Sequence, residues 1–220
     1  MHQVDISVEE KVLRKNLEIA HRNEDFLNKR GITAVDFTGA IGSGKTLLIE
    51  DLVEEGKRRG INCAVIAGDA VGFDDYNRFK THRVVVENIN TGKECHLDAH
   101  LVEHALERMN LQGVEYLFIE NVGNLLCPGD FPLGTHLRIV VVSTTEGDDM
   151  VRKHPNIFSL SDAMILNKSD LAVHVGVDIN TVISDFLKVA PRGRYFVTDA
   201  RGKSGIEELA DFLFDTNRNR

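Results

Sequence analysis

The run Gly39-Ala-Ile-Gly42-Ser43-Gly44-Lys45-Thr46 constrains the fold more than any other feature of this chain. It matches the pattern G-x-x-x-x-G-K-[ST], which has meaning only between a strand and a helix. The flanks supply that context. An apolar run, 32–37, precedes it, and an amphipathic stretch, 45–59, follows and stops at Gly60. Glycines let backbone N–H groups approach phosphate oxygens without a Cβ in the way. The start of the helix adds favourable partial charge. Lys45 then reaches the outer phosphates, and the Thr46 hydroxyl is placed to ligate Mg2+. A glycine-rich turn without function is the alternative, and the full motif in this context argues against it.

Beyond the loop, short apolar runs alternate with amphipathic ones. The pattern predicts strands at 32–37, 61–67, 116–119, 137–143, 163–166 and 195–197, and helices at 45–59, 95–110, 179–189 and 206–214. Fully apolar strands separated by helices mean an α/β fold of the P-loop NTPase kind, a mainly parallel sheet covered by helices on both faces. Residues 5–30 predict an additional N-terminal helix. Ser7 and Glu10 form a capping-box pattern, and Leu13, Leu17, Ala20 and Leu27 recur at helical spacing. The expected organisation is an N-terminal helical extension, 1–31, followed by a GTP-binding domain, 32–220. Ligands in such a fold lie beyond the carboxyl ends of the strands.

Composition narrows the partners. The 220 residues carry a formal net charge of -8, which argues against sequence-blind binding to nucleic acid or an anionic membrane. No segment has eighteen consecutive apolar residues, and the charged N-terminus does not read as a signal peptide, so the cytoplasm is the expected location. Cys63, Cys95 and Cys127 are an odd set, unlike a disulfide framework.

The segment Asn167-Lys168-Ser169-Asp170 follows the strand at 163–166 and has the N-K-x-D form found in GTPases. A carboxylate at Asp170 accepts from both N1–H and the exocyclic amino group of guanine, a pair adenine lacks. Asn167 supports the loop, and the Lys168 stem lies over the base. After the next strand, Thr198-Asp199-Ala200 loosely resembles a backbone loop that contacts guanine O6, with Ala200 as the candidate; a plain turn is the equal alternative. For Mg2+ and hydrolysis the candidates are Glu120, at the end of the strand 116–119, and Asp69, beyond the strand 61–67. Asp75 ranks below both. Gly123, three residues after Glu120, can offer its N–H to a γ-phosphate. The catalytic candidates are thus Lys45, Glu120 and Asp69, with Thr46, Asp69 and Glu120 as the Mg2+ set.

A second kind of chemistry is suggested by Cys95-His96 and, downstream, Cys127. With a helix over 95–110, His96, His100 and His104 would share one face, and Cys95 would sit where the helix dipole favours thiolate. Thiolate with imidazole suits Zn2+ or Ni2+. Taken singly, each of these residues is more often an ordinary structural or surface side chain. Cys63, in an apolar run, reads as core. Three ligands from one chain are an incomplete set, which a two-fold interface would complete.

The segments Asn90-Thr-Gly-Lys-Glu-Cys95-His96-Leu-Asp-Ala, Glu120-Asn-Val-Gly-Asn-Leu-Leu-Cys127-Pro and Ser143-Thr-Thr-Glu-Gly-Asp148 resemble the HypB family of hydrogenase nickel-insertion accessory GTPases over nearly the whole chain. The resemblance implies GTP or GDP and Mg2+ bound by the 39–46 loop, Glu120 and residues 167–170. It implies a Ni2+ or Zn2+ site of Cys95, His96 and Cys127 at a homodimer interface. It also implies two partners, a nickel/zinc accessory protein and the hydrogenase large-subunit precursor. Lys153 would face the second subunit's nucleotide. Two departures stand out. The first thirty residues hold no Cys and only His2 and His21, so the N-terminal nickel-binding Cys motif of many relatives is lacking. Gly72 stands where relatives often carry Thr. The competing readings are an accessory GTPase for urease or a cobalamin enzyme, a P-loop kinase of a small molecule, and a non-catalytic metal-binding module.

Overall fold

The structure is a computed structural model and describes residues 2–69, 72–92, 96–125 and 131–216. Seven parallel strands make one sheet: β1 (Thr33–Gly39), β2 (Cys63–Asp69), β3 (Val85–Asn90), β4 (Tyr116–Glu120), β5 (Leu137–Ser143), β6 (Ala163–Asn167) and β7 (Arg194–Val197), in the order β3-β2-β4-β1-β5-β6-β7. The central strands are buried along almost their full length, as the apolar runs require of a sheet covered on both faces. β1 pairs with β4 on one side and with β5 on the other, so the strand order reverses at β1. The phosphate-loop motif leaves the carboxyl end of that strand, at the topological switch point where such sheets bind ligands.

The helices are α1 (His2–Asn28), α2 (Lys45–Arg58), α3 (Asp74–Thr81), α4 (Ala99–Arg108), α5 (Met150–Lys153), α6 (Pro155–Ser159), α7 (Ala172–Val175), α8 (Ile179–Val189) and α9 (Ile206–Thr216), with 3-10 turns at Thr144–Glu146 and Ser169–Leu171. One core joins Phe37, Leu48, Val65, Phe118, Leu209 and Phe214 between the sheet, α2 and α9. A second, of Leu27, Ile66, Leu97, Val102, Leu117 and Leu133, lies under α1 and α4. A third collects Val140, Phe158, Met164 and Phe186 under α6 and α8. Cys63 belongs to the first core. Burial pushes its thiol up to about 12, so it is an inert apolar side chain, as its surroundings in the sequence suggested.

Several expectations are corrected. α1 begins at His2 and runs through Ser7, so the Ser7/Glu10 pattern is helix interior and not a cap. Its buried face is Asn16, Ile19, Ala20, Asn23 and Leu27, whereas Leu17 is 45% exposed. Of the apolar positions read at helical spacing, Ala20 and Leu27 lie on this face, Leu13 is half-buried and Leu17 lies outside it, and two asparagines, Asn16 and Asn23, occupy the inner face. α4 starts at Ala99 with Asp98 as its cap, the carboxylate accepting from Leu101 N–H at 2.8 Å. His96 therefore precedes the helix and shares no helical face with His100 and His104. α3 and β3 were not anticipated. Among the described residues no helix is long and apolar enough to cross a membrane.

Candidate functional site

α2 opens at Gly44 with no side-chain cap and no acidic residue in its first turn. Its N–H groups are left for an anion. Gly44 sits at φ 101, and a Cβ there would lie 2.3 Å from Asn167 Nδ2, so only glycine fits. Lys45 is buried, and its Nζ donates to the carbonyls of Gly39 at 3.0 Å and Ala40 at 3.1 Å. Burial pushes its ammonium below the usual range, against the pull of the Glu120, Asp75 and Glu146 carboxylates.

Opposite the loop, the Thr46 hydroxyl donates to Glu120 Oε1 at 2.7 Å. The other oxygen, Glu120 Oε2, is buried without a hydrogen-bond partner. Burial raises this carboxyl to about 7, helped by the charge of Asp75 and opposed by Lys45, the Thr46 bond and Arg78. An orphaned carboxylate oxygen beside a hydroxyl, next to a phosphate loop, is the donor chemistry that Mg2+ prefers. The observed residues therefore fit that ion. A cleft of about 390 Å3 holds Gly42, Gly44, Lys45, Thr46, Asp69, Asp75, Arg78, Glu120 and Gly123 together. Asp75, ranked low in the sequence, thus faces the same cleft as Asp69. Arg78 was missed, because its side chain reaches the cleft only through α3, which the sequence did not reveal. Its guanidinium pairs with Glu50 through Nη2 at 2.6 Å.

Asn167 is the hub of the base-side loops. Its Nδ2 donates to Ser43 O at 2.9 Å, and its Oδ1 accepts from Thr198 Oγ1 at 3.0 Å and Ala200 N–H at 3.2 Å. Ser169 N–H donates to Thr198 O, and Thr144 Oγ1 donates to Lys168 O at 2.6 Å. The phosphate loop and the 198–200 loop are thus both fixed on one buried amide. Lys168 takes a left-handed conformation, φ 58, and Asp170 in the following 3-10 turn is exposed, with its carboxylate open to a ligand.

Asn121, next to Glu120, is a functional candidate that the sequence reading passed over. Its Oδ1 accepts from Leu97 N–H and from Val122 N–H, both at 3.0 Å, and its Nδ2 donates to the buried Asp36 Oδ1 at 3.2 Å. Arg138 approaches the other Asp36 oxygen at 3.5 Å. Burial raises the Asp36 carboxyl, while Arg138 and Asn121 pull it down. No local signal marks Asn121, since the partners that tie it to other elements are 24 and 85 residues away in sequence. Removing its side chain in Asn121→Ala orphans two buried N–H groups. Urea unfolding is expected to show a loss of about 2–4 kcal/mol.

Leu97, held by Asn121, directly follows His96, whose ring lies 4.3 Å from that of Phe131. The segments after Cys95 and after Cys127 therefore meet. Cys95 and Cys127 themselves lie outside the described residues. Among the described residues no group of three or more His, Cys, Asp or Glu side chains is arranged to hold a metal ion. His100 and His104 are exposed on α4 with their Nε2 atoms 3.1 Å apart. Lys153 pairs with Asp149 at 2.7 Å and is exposed.

The phosphate loop at the switch point, the Thr46–Glu120 pair and the Asn167 hub define a P-loop nucleotide-binding protein. A family model described as the CobW/HypB/UreG nucleotide-binding domain matches residues 33–196. The chain is 48% identical to the probable hydrogenase maturation factor HypB of Methanocaldococcus jannaschii, over 97% of this chain and 96% of that protein. It superimposes on hydrogenase maturation factor HypB from Archaeoglobus fulgidus with a TM-score of 0.86 and 43% identity, covering 93% of this chain and 99% of the other. HypB from Helicobacter pylori, solved in complex with nickel, matches with a TM-score of 0.87 and 31% identity, over 93% and 96% of the two chains. The chain belongs to the CobW/HypB/UreG family.

Proposed function

We propose that this protein is a GTP-hydrolysing metallochaperone that carries nickel during maturation of [NiFe]-hydrogenase. The observation that carries this reading is that one short loop serves two places. Glu120 meets Thr46 at the phosphate loop, and its neighbour Asn121 holds Leu97 beside His96. A change at the γ-phosphate is thus one residue away from the chain that bears the metal motif.

In this reading GTP or GDP lies on the N–H groups from Gly39, Gly42, Ser43 and Gly44 to Thr46, with guanine on Asn167, Lys168, Asp170 and Ala200. Thr46, Glu120 and Asp69 would hold Mg2+, which supplies charge neutralisation at the outer phosphates. Lys45 offsets phosphate charge, and Gly123 offers its N–H beside it. Residues 32–220 form the nucleotide domain and residues 1–31 the extension.

Cys95, His96 and Cys127 bind Ni2+ as cargo, or Zn2+ in its place. Because three ligands are an incomplete set, two copies of the chain would share the site. The reading includes a nickel/zinc accessory protein and the hydrogenase large-subunit precursor as partners, in the cytoplasm. It is supported by its similarity to hydrogenase maturation factors and by the nickel in the Helicobacter pylori complex.

Light scattering with metal analysis tests it, on wild type and Cys95→Ala, with GDP and a non-hydrolysable GTP analogue, with and without Ni2+. The expected result is a dimer with the GTP analogue and Cys95-dependent nickel. A monomer without metal in every state would leave a nucleotide-binding protein and remove the metal reading.

A further inference from the structure

The loop that carries Ala200 is held at its base by Asn167 and at its tip by a lysine. Residues 199–204 fold back on themselves. Asp199 N–H donates to Ser204 O at 3.1 Å, and Ser204 N–H donates to Asp199 O at 3.0 Å. Gly202 N–H donates to Asp199 Oδ1 at 2.9 Å, and a Cβ on Gly202 would come within 2.2 Å of Asp199 Oδ2. Ala200 is buried, and its N–H donates to Asn167 Oδ1 at 3.2 Å. Residues 201–204 are exposed, and the apolar core resumes at Ile206. The tip therefore gains little from packing.

Lys203 ties that tip to another element. Its Nζ donates to Asp51 Oδ1, 152 residues away on α2. The two ends of the pair differ. The Lys203 side chain is 65% exposed, whereas that of Asp51 is 4% exposed. The second carboxylate oxygen, Asp51 Oδ2, is buried without a hydrogen-bond partner. Ion pairs exposed at both ends are weak, but a buried carboxylate cannot turn to water when its partner leaves. Lys203 also takes a left-handed conformation, φ 62, which a glycine would adopt without strain. The strained residue is thus the one whose side chain reaches α2. Asp51 lies on the helix that opens with Lys45 and Thr46, within two turns of Lys45. The pair joins the base-side loop to the phosphate-side helix, and neither side chain lines the phosphate cleft.

We infer that Asp51 and Lys203 form a latch: they are positioning residues that hold the Ala200 loop against guanine O6 at a fixed distance from the phosphate helix. The inference rests on the guanine reading above. The O6 contact is made by a backbone N–H, so its geometry is set by the loop and not by a rotamer. A loop tied at base and tip presents that N–H already in place, which raises affinity without adding a contact. With the tip released, the N–H spends time where O6 is left unpaired, and the nucleotide leaves faster.

The test uses the full chain. It measures the release rate of a fluorescent GDP analogue and the equilibrium affinities for GDP and 6-thio-GDP. The thio compound keeps the N1–H and the amine that Asp170 reads, but presents sulfur, a weak acceptor, at position 6. Wild type should prefer GDP. Lys203→Met keeps the stem of the side chain and deletes its charge. It is expected to speed GDP release about tenfold and to bring the preference for GDP over 6-thio-GDP close to parity. Lys203→Arg should restore both. Glu207→Gln, at an exposed position beside Asp51 and Lys203, should change neither. If Lys203→Met fails to fold because a buried carboxylate is left alone, Asp51→Asn/Lys203→Met removes both charges and is expected to show the same two changes.

A folded Lys203→Met with wild-type release and wild-type preference would overturn the latch and leave the guanine reading intact. Equal losses of GDP and 6-thio-GDP affinity would make the pair a general support of the fold and overturn the latch as well. Wild type that binds GDP, 6-thio-GDP and ADP alike would overturn the guanine reading, and the latch with it.

Discussion

Glu120→Gln is expected to slow GTP hydrolysis about 10^2- to 10^3-fold while leaving GDP binding nearly unchanged. The neutral amide still accepts the Thr46 hydroxyl bond seen at 2.7 Å. It no longer brings negative charge to the cation, so the loss falls on the transition state rather than on the ground state. The same substitution has an opposite consequence for the empty protein. In the folded chain burial raises the Glu120 carboxyl from its ordinary 4.5 to about 7. Between those values the folded state binds a proton that the unfolded state has lost. Stability therefore decreases as pH rises from about 4.5 to about 7, by up to about 3 kcal/mol from this group. Glu120→Gln removes that contribution to the slope. Urea midpoints for the nucleotide-free protein at pH 5 and pH 8 should diverge more for wild type than for the variant, with the variant more stable at pH 8. Asp36, Asp51 and Glu146 are raised as well and slope the same way in both proteins, so the difference between the curves isolates Glu120. A wild-type curve that rises across this window relative to the variant would remove the buried, proton-sharing carboxyl from the argument.

The sheet was readable where burial on both faces leaves an unbroken apolar run, as in 116–119, 137–143 and 163–166. It was unreadable at β3, an edge strand with Glu87, Asn88 and Asn90, whose residues are mostly half-exposed. α3 has only Phe79 buried, so it carries no apolar period to find. The phosphate loop and Asn167-Lys168-Ser169-Asp170 were legible because their chemistry demands residue types at fixed local spacing. Asn16, Asn23, Asp36 and Asn121 were not. Each is a common polar residue whose meaning is a partner 76 to 116 residues away for the α1 pair, and 85 between Asp36 and Asn121. The start of α4 shows a different failure. Asp98 is a favoured cap residue, but the His spacing at 96, 100 and 104 imitated a helix that begins earlier.

Asp170→Asn is expected to exchange guanine for xanthine specificity. The carboxylate can take two hydrogens from guanine, one from N1–H and one from the exocyclic amine. An asparagine keeps one acceptor and turns the other position into a donor, which faces the amine of guanine and meets the C2 carbonyl of xanthine. The hub that presents this side chain should stay intact, because Asn167 is fixed by Ser43, Thr198 and Ala200 rather than by Asp170. Affinity for GTP should therefore drop about 10^2- to 10^3-fold, and XTP should bind at a level approaching that of GTP on the wild type. Competition among GTP, XTP and ATP for a fluorescent nucleotide measures all three on both proteins. ATP should remain weak on each, since adenine offers neither the N1–H nor the exocyclic group at C2. Equal losses for GTP and XTP would mean that Asp170 holds the loop rather than the base. Strong ATP binding by wild type would mean that the 167–170 segment is a turn and that guanine recognition lies elsewhere.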